Sequence, residues 1–463
     1  MKNEFERLEI YKRTLKDLKD LSFYKRHPYL IYLFKKLQGK FMPEKETPGN
    51  SGYRYNFYTY GGDLLDYNDI KAQNVLYDIF EVYMNDIVDS DTSGKPVVWG
   101  EWNFSNELLR CFDCAVFIPE DFSFLADGIS TDMTVRIIEE AEKYGQHKDY
   151  CSSARAALGG YLLNQAPHPS IIISTSHPCD NVPSNYQTLQ YMTKVPMFTL
   201  DTPYWDDPEA IQYFADQLRD LIAFLEKHLN QKLDWDRLKK VCENINKTNY
   251  YLQEYSEMSR AIPSPTEAMI LIQAWNAKLV AIGSDNMTEY SRLIYEAARD
   301  RIKKGRGFIN KEKIRMIWYD VPIVFNYLAP WLAKKYGAVS VADYMGRVET
   351  QQIDTSSEES ILLGLARTHL DCSMTKQMRG PAEFYVDELQ RMIEEFSGDC
   401  LIFARHQGCK TGWAMGKLIR DVCRESKLPS LFLSTDIFDK RVATEEQIKK
   451  EISEFFVSNG LVK

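Results

Sequence analysis

Residues 400–411 read Cys400-Leu-Ile-Phe-Ala-Arg-His-Gln-Gly-Cys-Lys-Thr411. The first five, Cys400–Ala404, form an apolar run of strand length. Polar residues and Gly408 then make a turn, and residues 411–425 return apolar side chains at helical spacing. A wholly apolar strand, a turn and a helix form the repeating unit of a parallel sheet covered on both faces.

The same unit recurs on either side of this stretch. Downstream, Ser430–Ser434 reads as a strand and 443–457 as a final helix. Upstream, Ile314–Tyr319 and Ala338–Ala342 read as strands. Helices are expected over Phe325–Lys335, kinked by Pro330, and over 356–367 and 381–396. An earlier alternation has Val97–Trp99, Ala115–Ile118, Ile171–Ser174 and Pro196–Leu200 as apolar runs, with helical patterns at 107–111, 131–144 and 152–163. Between the two, residues 208–304 are mostly helical in pattern. Asp234 opens one helix, and Pro265 is expected in the first turn of the next. The first 95 residues show helical periodicity near 5–20, 28–40 and 69–88, interrupted by a polar Gly/Pro stretch from Pro43 to Gly62.

The expected fold is α/β: two open parallel-sheet domains, Rossmann- or flavodoxin-like, joined by a helical segment. The divisions fall at 1–95 for a helical extension, 96–205 for the first α/β domain, 206–310 for the helical segment and 311–463 for the second α/β domain.

The chain has 463 residues, 44% of them hydrophobic, enough for more than one buried core. Its net charge of −9 is spread along the chain, a poor footprint for nucleic acid. The N-terminus lacks the apolar core of a secretory signal, and no apolar run nears the ~20 residues of a membrane span. The expectation is a cytoplasmic protein with no membrane and no nucleic-acid partner. Nine cysteines, an odd number, argue against a disulfide framework.

Several common motifs are absent. No G-x-G-x-x-G follows a strand. The run Gly408–Lys417 resembles a phosphate loop, but Thr411 stands at the first glycine position and Leu418 at the hydroxyl position. The chain is therefore not expected to hydrolyse ATP itself. The seven histidines show no metal spacing.

Cys111-Phe-Asp-Cys114 is the one C-x-x-C pair. A redox pair or half a zinc site is one reading; two buried thiols in apolar sequence is the preferred one. Three other cysteines stand where such sheets present ligands. Cys151 precedes the helix beginning Ser152-Ser-Ala-Arg, Cys179 follows the strand Ile171–Ser174, and Cys409 lies between strand and helix. Ligands bind beyond the carboxyl ends of parallel strands, and a helix N-terminus favours thiolate. The spacing alone leaves two readings open: a shared metal site, or three separate buried thiols.

The segments around these cysteines resemble the 2-hydroxyacyl-CoA dehydratase / benzoyl-CoA reductase family. The motifs are Asp149-Tyr-Cys-Ser-Ser-Ala-Arg-Ala-Ala-Leu-Gly159, His177-Pro-Cys-Asp-Asn181 and His406-Gln-Gly-Cys-Lys410, with Ala261-Ile-Pro-Ser-Pro265, Lys335–Ser340, Lys427–Ser430 and Ser434–Arg441 in support. Their order and spacing carry the resemblance, which spans about residues 96–460. Residues 1–95 exceed the family's usual opening.

The resemblance implies a heterodimer of two homologous subunits and a [4Fe-4S] cluster held by Cys151, Cys179 and Cys409, leaving one iron open. It implies a separate ATP-hydrolysing iron–sulfur activator that delivers single electrons. One electron passes to the thioester carbonyl of an acyl-CoA substrate, giving a ketyl radical. Dehydratases then eliminate water and return the electron; benzoyl-CoA reductases instead reduce the aromatic ring. Glu120, after the strand Ala115–Ile118, is similar in place to a family glutamate near substrate. It is a candidate acid/base, with a solvated loop carboxylate as the equal alternative. Trp102 stands where many dehydratase subunits carry a small hydroxyl residue, which raises the reductase alternative. A cluster-free scaffold that keeps the fold is the third reading.

Overall fold

The structure, a computed structural model, describes residues 6–20, 25–30, 33, 66–103, 106–129, 131–323 and 328–462. The helical pattern read over 28–40 falls largely outside these residues, and the stretch 43–62 wholly so.

Two four-stranded sheets organise the chain, and every strand pairing in both is parallel. The first has the order β2-β1-β3-β4, with β1 Val97–Trp99, β2 Ala115–Phe117, β3 Ile171–Thr175 and β4 Met197–Leu200. The second has the order β6-β5-β7-β8, with β5 Ile314–Tyr319, β6 Ala338–Asp343, β7 Cys400–His406 and β8 Ser430–Thr435. The central strands β1, β3, β5 and β7 carry almost wholly buried side chains, as continuous apolar runs demand.

Alternate residues of each strand enter opposite cores. In the first sheet, Val98, Ile171 and Ile173 join a cluster with Phe214, Leu218 and Leu225 of the helix Pro208–Leu229. Trp99, Phe117 and Ile172 face the other way, onto a core that includes the helices Glu9–Asp20 and Tyr67–Ser93. The N-terminal segment therefore covers one face of the first sheet. In the second sheet, Met316, Trp318 and Ile402 pack with Ile448 and Ile452 of the last helix, Glu445–Ser458. The helix Glu358–Asp371 comes from the second half of the chain, yet its Ile361, Leu362 and Leu365 join the cluster built on Pro208–Leu229.

The segment between the sheets holds four helices: Pro208–Leu229, Trp235–Met258, Met269–Ala281 and Asp285–Lys303. Asp234 caps the second, accepting from Arg237 N at 2.9 Å. Pro265 does not begin a helix. Ser264 Oγ donates to the Thr266 carbonyl and Glu267 N donates to the Tyr255 hydroxyl, which hold residues 264–267 in a turn and delay the helix to Met269. The short helices Pro119–Asp121, Phe122–Ile129 and Asn181–Thr193 lie outside the helical patterns read from the sequence. Near Pro330 the helix is described from Leu328 to Tyr336, and residues 325–327 of the expected helix lie outside the described residues. Among the described residues, no helix is long and apolar enough to cross a membrane.

Candidate functional site

In each sheet, one pair of adjacent strands connects in opposite directions: β1 and β3 in the first, β5 and β7 in the second. At such a switch point the loops diverge and leave a crevice at the carboxyl ends. The crevices of the two sheets face each other through hydrogen bonds. Asn181 Nδ2 donates to the Gly408 carbonyl at 3.0 Å, and Ser152 Oγ donates to Asp436 Oδ1 at 2.5 Å. Lys410 Nζ lies 2.5 Å from Asp180 Oδ2, and buried Arg155 reaches Asp439 at 3.3 Å. The contact is closest at Gly408, where a Cβ would stand 2.5 Å from Cys151 Cα. No side chain fits there.

The three cysteines meet at this seam. Cys151 is the N-cap of the helix Ser152–Leu162, and Cys409 that of the helix Lys410–Glu425. Cys409 Sγ accepts from Gly412 N at 3.3 Å, the bond a serine or aspartate makes at an N-cap. Backbone N–H groups also favour the charged form of the other two, that of Ala154 at Cys151 and those of Asn181 and Val182 at Cys179. Each of the three thus stands at the start of a helix, and among the described residues Cys409 Sγ makes the one cap hydrogen bond of the three. The thiols also act on one another: negative charge on Cys151 raises the pKa of Cys179, and charge on both raises that of Cys409.

Cys151 differs from the other two. His406 Nε2 lies 3.3 Å from its sulfur, and His406 Nδ1 lies 3.1 Å from Asp436 Oδ2. Burial raises the Cys151 thiol, but the His406 charge and hydrogen bond outweigh it and leave the pKa lowered. Burial pushes Cys179 up to about 12 and Cys409 well above the usual thiol range. Without added positive charge, one thiolate forms here rather than three.

The Cys111/Cys114 pair contrasts with this. Both sulfurs are donors, to the carbonyls of Glu107 at 3.7 Å and Leu109 at 3.6 Å. Burial pushes both thiols up to about 12. They are protonated packing residues, in line with the reading as two buried thiols. Cys242, Cys400 and Cys423 are likewise buried in the cores, and Cys372 caps the helix Glu358–Asp371.

Glu120 is not a solvated loop carboxylate. It is buried in the short helix Pro119–Asp121 and accepts from the Tyr186 hydroxyl at 2.7 Å. Burial raises its pKa to about 7 against the pull of that bond. Glu101 after β1 accepts from Thr175 Oγ1 at 3.0 Å, and Asp121 accepts from Trp102 Nε1 at 2.9 Å. Burial raises both, Asp121 to about 8. The Trp102 indole packs against Phe124 and Trp275.

Sequence reasoning does not single out Glu101, Asp121, Asp320, His406 or Asp436. Their shared signal is position: Glu101, Asp320 and Asp436 stand within two residues of a strand's carboxyl end, and His406 closes β7.

The sequence profile described as 2-hydroxyglutaryl-CoA dehydratase, D-component, matches residues 101–457. The chain belongs to this family. It is 24% identical over 398 residues to the alpha subunit of (R)-2-hydroxyisocaproyl-CoA dehydratase from Clostridioides difficile, covering 82% of this chain and 94% of that one. It is 24% identical over 379 residues to a benzoyl-CoA reductase subunit from Thauera aromatica, covering 76% and 85%. It is 22% identical over 399 residues to the alpha subunit of lactoyl-CoA dehydratase from Anaerotignum propionicum, covering 79% and 91%. The family match starts at Glu101, so it takes in both crevices and all three seam cysteines but none of the N-terminal helices.

Among the described residues, no three His, Cys, Asp or Glu side chains converge on one point as a single metal ion requires. A four-iron cluster asks for something else: thiolates set farther apart, with N–H groups directed at their sulfurs. The donor set at the seam meets the second of these conditions.

Proposed function

We propose that this chain is the cluster-bearing subunit of an ATP-activated 2-hydroxyacyl-CoA dehydratase-type enzyme, with Cys151, Cys179 and Cys409 holding one [4Fe-4S] cluster. The observation that carries the proposal is the polarity of the sulfurs. All three stand at helix N-termini, where backbone N–H groups favour the thiolate, and Cys409 Sγ accepts from Gly412 N, whereas Cys111 and Cys114 donate to carbonyls. Three thiolates in mutual repulsion need positive charge, and a coordinated metal deprotonates its thiols outright. When bound, such a cluster supplies electrons one at a time, and three protein thiolates leave its fourth iron open.

The chain's own residues do the rest. The cysteines are half-buried at the seam between the two lobes, where a CoA thioester seated against them is shielded from water. Glu120, near neutrality, can hold or release a proton at working pH, and the Tyr186 hydroxyl fixes its orientation. A homologous second subunit, in keeping with the subunit names of the relatives, and an ATP-dependent iron–sulfur activator complete the system. Nine free cysteines suit a reducing cytoplasm.

Trp102 favours a second reading, a benzoyl-CoA reductase-type subunit. Its indole N–H is taken up by Asp121, so it offers no hydroxyl toward the thiols. The test is anaerobic purification with iron and sulfide analysis. About four irons per chain are expected, falling to near zero in Cys409→Ser and unchanged in Cys111→Ser. An iron-free wild-type protein from strictly anaerobic cells defeats the cluster and leaves the scaffold reading.

A further inference from the structure

One side chain crosses the seam to a cysteine sulfur. His406 Nε2 lies 3.3 Å from Cys151 Sγ, 255 residues away in the chain. Among the described residues, no other side chain hydrogen-bonds Cys151, Cys179 or Cys409; the contact to Cys409 Sγ comes from the backbone N–H of Gly412.

The surroundings aim the imidazole. His406 closes β7 and Asp436 follows β8, and the register pairs His406 with Thr435, so the two side chains leave neighbouring strand ends. His406 is 3% exposed and Asp436 0%, so water does not compete for either. Asp436 Oδ1 accepts from the Ser152 hydroxyl at 2.5 Å and from the N–H groups of Phe438 and Asp439, each at 2.9 Å. These bonds fix the carboxylate and turn Oδ2 toward His406 Nδ1, 3.1 Å away. The His406 backbone is held as well, its carbonyl accepting from Cys409 N at 3.0 Å and from Trp413 Nε1 at 3.1 Å. The close approach at Gly408 then brings Cys151 within reach of the ring.

Coordination decides the direction of the bond. A free Cys151 thiol can donate to an imidazole nitrogen, but a metal-bound thiolate has no proton to give. The hydrogen between the two atoms then belongs to Nε2. Nδ1 permits this in either of its states: its N–H can face Asp436, or its lone pair can accept from Ile437 N at 3.3 Å. An N–H group draws electron density from the sulfur it bonds. That sulfur is more negative when the cluster holds an added electron, so the bond is stronger in the reduced state and favours it.

We propose that His406, oriented by Asp436, is a positioning residue whose Nε2–H bonds the Cys151 sulfur across the seam and makes the bound cluster easier to reduce. The inference rests on the reading of Cys151 as a cluster ligand.

The test is an EPR-monitored redox titration of the holoprotein, purified anaerobically with whatever subunit accompanies it, beside two variants with iron counted in each. H406N keeps an amide where Nδ1 stands, facing Asp436, but is too short to reach Cys151. H406Q carries its amide nitrogen to where Nε2 stands and can still donate. H406N is expected to shift the equilibrium against reduction by about tenfold, a fall of about 59 mV for a one-electron couple. H406Q is expected to stay within about threefold of the wild type. An iron-loaded H406N with the wild-type potential, or an equal fall in both variants, overturns the role of His406 and leaves the cluster reading standing. Should neither variant hold iron, wild-type protein labelled with nitrogen-15 histidine carries the test. Its reduced cluster should then show coupling to a histidine nitrogen by pulsed EPR, and absence of that coupling overturns the bond. A wild type without iron overturns the cluster reading and this inference together.

Discussion

The two sheets share one strand order and differ in what they do with it. Each sets a carboxylate after its first central strand, Glu101 after β1 and Asp320 after β5. Each sets another beyond or at the end of the neighbouring edge strand, Glu120 and Asp343. Each sets a cysteine after the second central strand, Cys179 and Cys409. In the first lobe hydroxyls and an indole reach these acids: Thr175 to Glu101, Tyr186 to Glu120, Trp102 to Asp121. In the second lobe backbone N–H groups reach them, Val321 to Asp320 and Met345 and Gly346 to Asp343. Among the described residues, Glu101 Oε2 in the first lobe and Asp320 Oδ2 and Asp343 Oδ2 in the second have no hydrogen-bond partner. The topology gives equivalent positions; the surroundings decide whether side chains or backbone N–H groups reach them.

The seam between the lobes offers the sharpest way to break that comparison. The second lobe holds the first through Asp436, which accepts from Ser152 Oγ and faces His406. Burial alone would raise the Asp436 carboxyl, but the His406 charge and hydrogen bond outweigh it and hold the group down at about 2. Asp436→Asn keeps the shape and removes the charge, leaving His406 with its charge uncompensated. The expected loss is about 3–5 kcal/mol by chemical denaturation at pH 5–6. The pH dependence carries the sign. The Asp436 contribution is present above 3.8 and is lost as pH falls toward 2. His406 is raised above its usual 6.5, so its contribution is full below 6.5 and is lost as pH rises through the folded value. The gap between wild type and variant should therefore be widest from about pH 4 to 6.5 and narrow on both sides. A gap that does not vary with pH would mean the pair is not ionic.

How far these features were legible in the sequence depends on their range. The parallel sheets were, because strands such as Ile314–Tyr319 and Cys400–Ala404 are continuous apolar runs and their covering helices keep a regular period. The caps at Cys151 and Cys409 were legible for the same local reason. The helix Asn181–Thr193 was not, because its polar, proline-bearing sequence shows little amphipathic period. Nor were the partnerships of Glu101 with Thr175, 74 residues away, or of Ser152 with Asp436, 284 away. The first pair exists only once β1 and β3 lie side by side, and the second only once the two sheets stand face to face. The destination of the helix Glu358–Asp371, packed on the first lobe's helix Pro208–Leu229, was hidden likewise.

A smaller change probes the seam without touching charge. An added methyl in Gly408→Ala would meet the Cys151 backbone, with Cys151 N at 2.6 Å and Tyr150 C at 2.8 Å. Backbone cannot turn aside as a flexible side chain can, so the lobes must part. A loss of about 3 kcal/mol and a fall in bound iron are expected, read by thermal unfolding and iron analysis. Gly416→Ala, in the helix Lys410–Glu425, is the control. Its Cβ meets only the Arg405 side chain at 3.9 Å, and alanine there should stabilise the helix by about 0.5–1 kcal/mol. Equal effects at the two glycines would mean that the lobes do not touch at Gly408.

The first lobe yields the mildest and most diagnostic effect, because its acids respond to pH in the sense opposite to the Asp436 pair. Burial raises Asp121 to about 8, and the Trp102 hydrogen bond only partly opposes this. Between pH 3.8 and about 8 the unfolded chain has lost this proton while the folded chain keeps it. Asp121 therefore costs stability progressively as pH rises through that window, and the cost is complete above about 8. Asparagine cannot ionise, and its carbonyl still accepts from the Trp102 indole. Asp121→Asn should match the wild type near pH ~4 and exceed it by about 2 kcal/mol at pH ~8.5, less than the full shift because buried sites relax and admit water. Urea denaturation at the two pH values measures the difference. A variant that gains no more over the wild type at the alkaline pH than at the acid one would show that Asp121 ionises freely in the folded chain. The first lobe would then hold its acids as charged groups, as the second holds Asp436.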